Sequence, residues 1–273
     1  LDVPGVDDAR RIQAEIVNQL SDYVLPRLRQ LEGPLLAVVG GATGAGKSTL
    51  VNSIIGERVT ESGVLRPTTR SPVLVHHPDD AAWFQPDRIL PELPRTTVPS
   101  NDTYALRLAA SKKIPRGLAI LDAPDVDSID QGNRELAAQL LAAADLWLFV
   151  TSAARYSDQV PWDYLRMASE RSTSVAVVLD RTSNDAVTEV RGHLARMMTS
   201  RGLSDSPLFT VPESAIDADG LLPPTAVGPI VGWLHDLAGD PEARRMVMTQ
   251  TLDDAILHTF LRTHDVADGM GAQ

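Results

Sequence analysis

Eight consecutive residues, Gly41-Ala42-Thr43-Gly44-Ala45-Gly46-Lys47-Ser48, combine glycines, a lysine and a hydroxyl in the spacing G-x-x-x-x-G-K-[ST]. Glycines at such positions let backbone N–H groups curl around a phosphate, and the N-terminus of a following helix adds its dipole. In this pattern Lys47 reaches the β- and γ-phosphates of a nucleotide and Ser48 ligates Mg²⁺. The context fits. The apolar run "LLAVVG" ahead of the glycines reads as a buried strand, and Lys47 to Ile55 read as a helix.

A phosphate cradle of this kind needs a carboxylate at the end of a neighbouring strand, to hold magnesium through water. Asp122, closing the apolar run in "LAILDAPD", is the candidate. It also needs a group that feels the γ-phosphate. The polar, Gly- and Pro-containing segment "ESGVLRPTTRSP" reads as a loop that orders around a triphosphate and relaxes after hydrolysis. Thr69 is placed to give its hydroxyl to the metal and its N–H to the γ-phosphate, with Thr68 the alternative in the same loop.

The elements that must position these groups alternate along the chain. Strands are expected at "PVLVHH" (72–77), "TYALRLA" (103–109), "GLAILD" (117–122), "LWLFVT", "SVAVVLD" and "PLFTVPE", interleaved with helices at "NRELAAQLLAAAD", "VPWDYLRMASER" and "AVTEVRGHLARMMTSRG". Such alternation implies an α/β fold, a mainly parallel sheet covered on both faces. The stretch 72–122 holds strands without a convincing intervening helix, so a hairpin is expected to add one antiparallel edge strand. The Pro-rich run 90–102 reads as a loop.

Two helices flank this core. Ile12, Ile16, Leu20, Val24 and Leu28 stripe the first, which Pro26 should bend or break. Asp240 and Pro241 start the last, striped by Met248, Leu252, Ile256 and Phe260. The two stripes are expected to meet, since each alone would expose apolar surface.

The chain has 273 residues, no cysteine and a net charge of −11. Disulfides and thiolate metal sites are excluded, and the acidic balance argues against nucleic acid as a partner. No apolar run approaches the roughly 18 residues of a membrane span. The start at Leu1 and the ending "VADGMGAQ" read as those of a piece of a longer protein. His76-His77 reads as an exposed strand end rather than a metal pair, because adjacent strand residues face opposite sides. The four tryptophans read as packing residues, and "RYSDQVPWDYL" as ordinary packing or a partner contact.

With these residues in view, the chain resembles a dynamin-like GTPase of the TRAFAC class. "GGATGAGKSTLVNSIIG" is similar to that family's P-loop and helix, "TTRSPVLV" to its switch loop and strand, and "LDAPD" to its D-x-P-G. The likeness spans residues 34–238. It implies a Ras-like P-loop NTPase fold, a three-layer sandwich, for 34–238, with neck helices at 1–33 and 239–273, the latter truncated. It implies Mg²⁺-dependent GTP binding and hydrolysis, with Gly41 to Thr49 around the phosphates, Thr49 at the α-phosphate, and Ser48, Thr69 and Asp122 at the metal. Lys47 and Thr69 would carry the catalysis. Hydrolysis in isolation should be slow, on the order of 10⁻⁴ to 10⁻² s⁻¹. The resemblance also implies a cytoplasmic protein, at the inner face of a membrane when full-length. Its partners would be a second copy across the nucleotide face and a membrane engaged through segments outside this chain.

The sequence departs from the pattern at several points. Asp125 stands where the D-x-x-G glycine meets the γ-phosphate, so its charge either points away or opposes the triphosphate. Val126 follows it, which suits the family and leaves the water-positioning group unnamed. Thr43 and Gly44 replace polar catalytic residues of the P-loop. The guanine-reading N/T-K-x-D becomes Asp180-Arg181-Thr182-Ser183. Arg181 can still lie over a purine, whereas Ser183 offers only a hydroxyl; a shifted register would use Thr182 and Asp185. "VPESAID" resembles the family's S-A element, so an N–H near Ser214 and Ala215 would donate to guanine O6 and favour GTP over ATP by about tenfold. An ATPase and a nucleotide-binding scaffold that does not hydrolyse remain the rival readings.

Overall fold

The structure, a computed structural model, describes residues 6–29, 31–61, 71–100, 102–170, 174–183 and 185–271. Its centre is an eight-stranded sheet: β1 Leu35–Gly41, β2 Val73–His76, β3 Arg95–Thr96, β4 Leu106–Ala110, β5 Leu118–Asp122, β6 Leu146–Ser152, β7 Ser174–Thr182 and β8 Leu208–Pro212, in the order β3-β4-β2-β5-β1-β6-β7-β8. Central strands are buried on both faces, as expected where helices cover a parallel sheet.

Alternation along β1 divides the core. Leu36 and Val38 face the side covered by α4 (Gln131–Ala142), α5 (Gln159–Glu170) and α6 (Val187–Ser200). Leu35, Ala37 and Val39 face α3 (Lys47–Ile55), α7 (Pro224–Gly239) and α8 (Pro241–Gly271). The result is the expected three-layer, mostly parallel sandwich.

The antiparallel component differs from the single edge strand expected. β2 runs antiparallel to β5, and β4 and β3 continue parallel to β2, so three strands form a reversed block joined through one pairing. β2 is therefore internal, and β4 and β5 form no hairpin because β2 lies between them. The joint sets Val73 opposite Asp122, so β2 begins at the edge of the sheet where β1, β5, β6, β7 and β8 end. The Pro-rich run is also more ordered than a plain loop. Arg95 donates to the carbonyls of Phe84, Ile89, Leu90 and Leu93 and closes the segment around its guanidinium.

The first helix runs as α1 (Val6–Gln19), a π-helical turn (Leu20–Val24) and α2 (Leu25–Leu28). The Leu25 N–H bonds to Leu20 O across the π turn. Pro26, which has no N–H, thus enters without ending the helix. α1 and α8 pack together, but not along the strict every-fourth stripes. A step of four residues overshoots the 3.6-residue turn by about 40°, so such a stripe drifts around the helix. Leu28, Ile256 and Phe260 have accordingly turned outward. The buried line is Tyr23 and Val24 against Leu252 and Ala255, with Arg27 and Thr251 also buried, whereas Met248 joins the core cluster under α3 and α7.

A buried ion pair fixes these helices to the sheet. Arg27, 1% exposed, donates to the Asp145 carboxylate and to Pro34 O. Asp145, fully buried just before β6, also accepts from the Leu36 N–H at 2.7 Å and the Tyr23 O–H at 3.2 Å. His76 corrects a further expectation: its ring is buried, packed 5.3 Å from Phe84, rather than exposed at a strand end.

Candidate functional site

β1 leads into the glycine-rich turn at the edge where the parallel strands end, the usual position of ligands in such sheets. Gly41 is required by packing, since a Cβ there would lie 2.1 Å from Val150 O. Gly46 caps α3 at φ 95°, and a Cβ would meet the Asp180 carboxylate at 2.2 Å. Ala42 and Ala45 are buried, with the Ala45 N–H on Ala42 O at 3.1 Å. Thr49 is half-buried and accepts from Ser53 Oγ.

Lys47 follows. Its buried ammonium donates to Gly41 O at 3.1 Å, to Ala42 O at 3.2 Å and to the Asp125 carboxylate. Asp125 therefore does not point away: it sits on the cation that the phosphates would use. Val126 between the acids is fully buried, with its N–H on Gly41 O, which ties this loop to the P-loop.

Ser48 Oγ donates to Asp122 Oδ2 at 2.7 Å, and Thr60 Oγ1 donates to the same oxygen at 2.9 Å. Burial pushes the Asp122 carboxyl up, partly offset by the Ser48 hydrogen bond and the Lys47 charge. Its other oxygen, Oδ1, is buried without a hydrogen-bond partner. An orphaned carboxylate oxygen beside a serine hydroxyl suits Mg²⁺, which takes few protein ligands and completes its shell with water and phosphate. No cluster of three or more His, Cys, Asp or Glu able to hold a metal occurs among the described residues. Thr69 and Thr68 lie outside the described residues.

Three groups of this site were missed in the sequence. Thr60 is held by Asn52, whose Oδ1 accepts the Val59 and Thr60 N–H groups at 2.9 Å. Asp127 Oδ1 accepts the Thr43 N–H at 2.6 Å, and its Oδ2 accepts from Arg155 at 2.9 Å. Arg155, on the turn after β6, also donates to Thr43 O and to Asp158, each at 2.8 Å. Burial pushes the Asp127 carboxyl up, but hydrogen bonds from Thr43 and Arg155 outweigh it and hold the group below the usual carboxylate range. The Asp158 hydrogen bond, then the charge of Asp127, raises Arg155 against a smaller burial effect. The one signal for Arg155 was its place in the charged and aromatic segment "RYSDQVPWDYL".

On the base side β7 runs past Asp180 to Thr182 through an irregularity at Arg181, whose φ is 53°. Asp180 is buried against Gly46 and accepts the Arg181 N–H at 2.9 Å; burial pushes its carboxyl up. Ser183 is exposed, and its carbonyl accepts the Ala186 and Val187 N–H groups ahead of α6. The Glu213 N–H bonds Thr182 O at 3.1 Å, which draws the Ser214-Ala215 loop beside β7. Ser214 Oγ itself donates to Pro212 O, and Ala215 is exposed. Gly41 to Thr49, Asp122, Asp125, Asp180, Arg181, Ser214 and Ala215 thus share one edge of the sheet. Asp185 is exposed beyond it, in the turn leading to α6.

A protein-family model described as 50S ribosome-binding GTPase matches residues 36–199, more than half of the chain, and the chain belongs to this family of P-loop GTPases. Beyond that class it is similar to a transmembrane GTPase and, in fold, to bacterial dynamins. It is 25% identical over 265 residues to the probable transmembrane GTPase FZO-like, chloroplastic, of Arabidopsis thaliana, which covers 94% of this chain and 27% of the relative. Two solved structures of an oligomerised bacterial dynamin pair, described as a mechanism for long-range sensing and tethering of membranes, share the fold. The TM-scores are 0.57 and 0.52 at 12% identity, covering 96% and 100% of this chain and 47% and 59% of theirs. The chain thus spans about a quarter of the curated relative and about half of the solved structures. No described helix is long and apolar enough to cross a membrane.

Proposed function

We propose that this domain binds GTP with Mg²⁺ through the residues gathered at the sheet edge and hydrolyses it slowly, its nucleotide state switching an assembly of the longer protein. The observation that carries this reading is the Ser48–Asp122 pair, with an orphaned carboxylate oxygen, beside the buried Lys47 ammonium. Lys47 would bind the β- and γ-phosphates and Thr49 would contact the α-phosphate. Ser48 and Thr69 would ligate the metal, and Asp122 would hold it through water. When bound, Mg²⁺ supplies charge neutralisation between the phosphates.

Thr69 is proposed as the γ-phosphate sensor; in support, Val73, four residues on, pairs with Asp122. Arg181 and the loop at Ser214-Ala215 would receive the base, with Asp180 buttressing Gly46. Residues 34–238 would form the GTPase unit, and the helices at either end the neck. The name of the FZO-like relative and the description of the bacterial dynamin pair support work at a membrane by the full-length protein. The description of the bacterial dynamin pair as oligomerised supports assembly in general, and pairing with a second copy across the nucleotide face belongs to the same proposal. A cytoplasmic location is part of the same proposal.

Single-turnover GTP hydrolysis with and without Mg²⁺ tests the reading. Lys47→Ala should abolish it, and Thr69→Ala should slow it severely while diphosphate binding survives. Competition against labelled nucleotide should favour GTP over ATP by about tenfold, the contribution of one good hydrogen bond. Tight binding without hydrolysis would favour the scaffold reading, which the Asp125–Lys47 contact keeps in play.

A further inference from the structure

The loop after β5 carries Asp125 and Asp127, set to either side of the buried Val126, and both engage the P-loop. Asp125 takes its cation. Asp127 does something different: one of its oxygens accepts a P-loop N–H, Thr43, while the other accepts from a guanidinium, Arg155. An anion bridging a P-loop amide and a cation is the arrangement a phosphoryl group adopts in such a cradle. Thr43 lies on the rim, ahead of Lys47 and the α3 N-terminus, so the group it meets would be the outermost one.

Arg155 does not depend on Asp127 for its position. Its Nε is held by Asp158 and one terminal nitrogen by Thr43 O, which leaves the third nitrogen directed at Asp127. The adjoining P-loop residue is Gly44, and nothing lies within 4 Å of where its Cβ would be. The P-loop is thus open at Gly44, one residue after the Thr43 carbonyl that anchors Arg155.

We propose that Asp127 and Arg155 are the pair by which this domain distinguishes a triphosphate from a diphosphate: Asp127 stands in for the γ-phosphate when none is bound, and a γ-phosphate displaces it and takes over the Thr43 amide and Arg155. This rests on the GTP-binding reading and deepens it. Release of Asp127 removes one tie of this loop to the P-loop, leaving those of Asp125 and Val126, so arrival of the γ-phosphate is reported to the segment leading into α4.

The test is titration of the full chain with fluorescent GDP and a non-hydrolysable fluorescent GTP analogue, both with Mg²⁺. Asp127→Asn should raise the preference for triphosphate over diphosphate about tenfold. Arg155→Ala should lower it about tenfold, the low end of what one charge-assisted hydrogen bond contributes. Arg155→Lys keeps the charge and should recover part of the loss. It also carries the test should thermal melting show that the alanine variant does not fold. Preferences that stay within twofold of wild type in these variants overturn the pair alone, provided the wild-type chain binds both nucleotides. Failure of the wild-type chain to bind either nucleotide overturns the GTP reading, and the pair with it.

Discussion

Arg27→Met removes the guanidinium that joins the N-terminal helix to the sheet. It leaves Asp145, fully buried, with only the Leu36 N–H and the Tyr23 O–H as donors. Breaking a buried pair from one side costs about 3–5 kcal/mol, because the remaining charge is uncompensated. Two retained donors place the cost at the low end. So does relief of Arg27 Nε and Nη1, which are buried without hydrogen-bond partners in the wild type. About 3 kcal/mol is therefore expected, or about 6–12 °C in melting temperature for a chain of this size. Urea unfolding followed by circular dichroism measures it. Arg27→Met combined with Asp145→Asn removes the stranded charge and should regain at least half of the loss. A single variant costing under about 1 kcal/mol, or a double variant no better than the single, would refute the argument that the buried charge carries the cost.

Asp125→Asn should tighten GDP and GTP analogues alike by about tenfold, since it weakens a charge-assisted contact on the cation both need; unchanged affinity in a fluorescence titration would show that Asp125 does not compete. Thr60→Val removes a buried hydroxyl from Asp122 and should cost about 1–2 kcal/mol in thermal unfolding, with a severalfold loss of Mg²⁺-dependent nucleotide affinity. Asp127 has a depressed carboxyl, so it stabilises the fold fully above the unfolded value of about 4, and that stability is lost as pH falls through the lower folded value. The stability difference between wild type and Asp127→Asn should then be constant from pH 6 to 8 and shrink in acid; a difference that grows in acid would contradict the assigned direction.

The mostly parallel sandwich was legible in the sequence because strand and helix periodicities differ and the phosphate cradle demands its residue types within one short window. Contacts between distant residues were not legible. Nothing local marks Asp127 as the partner of Arg155, 28 positions on, or Thr60 as a donor to Asp122. Stripes written as every fourth residue lost phase with the real turn, which is why Ile256 and Phe260 were misplaced and Thr251 and Ala255 overlooked. The direction of β2 cannot be read from apolar alternation, which is the same for either orientation. The extension of β7 to Thr182 was hidden by Arg181, whose positive φ is uncommon outside glycine.

Asp145 holds the starts of two adjacent strands: it immediately precedes β6 and accepts the Leu36 N–H in β1. The far end of β1 opens into the P-loop, and the far end of β6 runs into the turn that carries Arg155. Each strand is seven residues long and packed on both faces, a rod of about 23 Å that bends little and does not stretch. One carboxylate is therefore the shared foot of two struts whose tips hold opposite sides of the cradle. A pull on Arg27 from the N-terminal helix acts on both struts together, so the helix and the P-loop end are mechanically in series, with the turn at residues 153–154 as the first place where slack can enter.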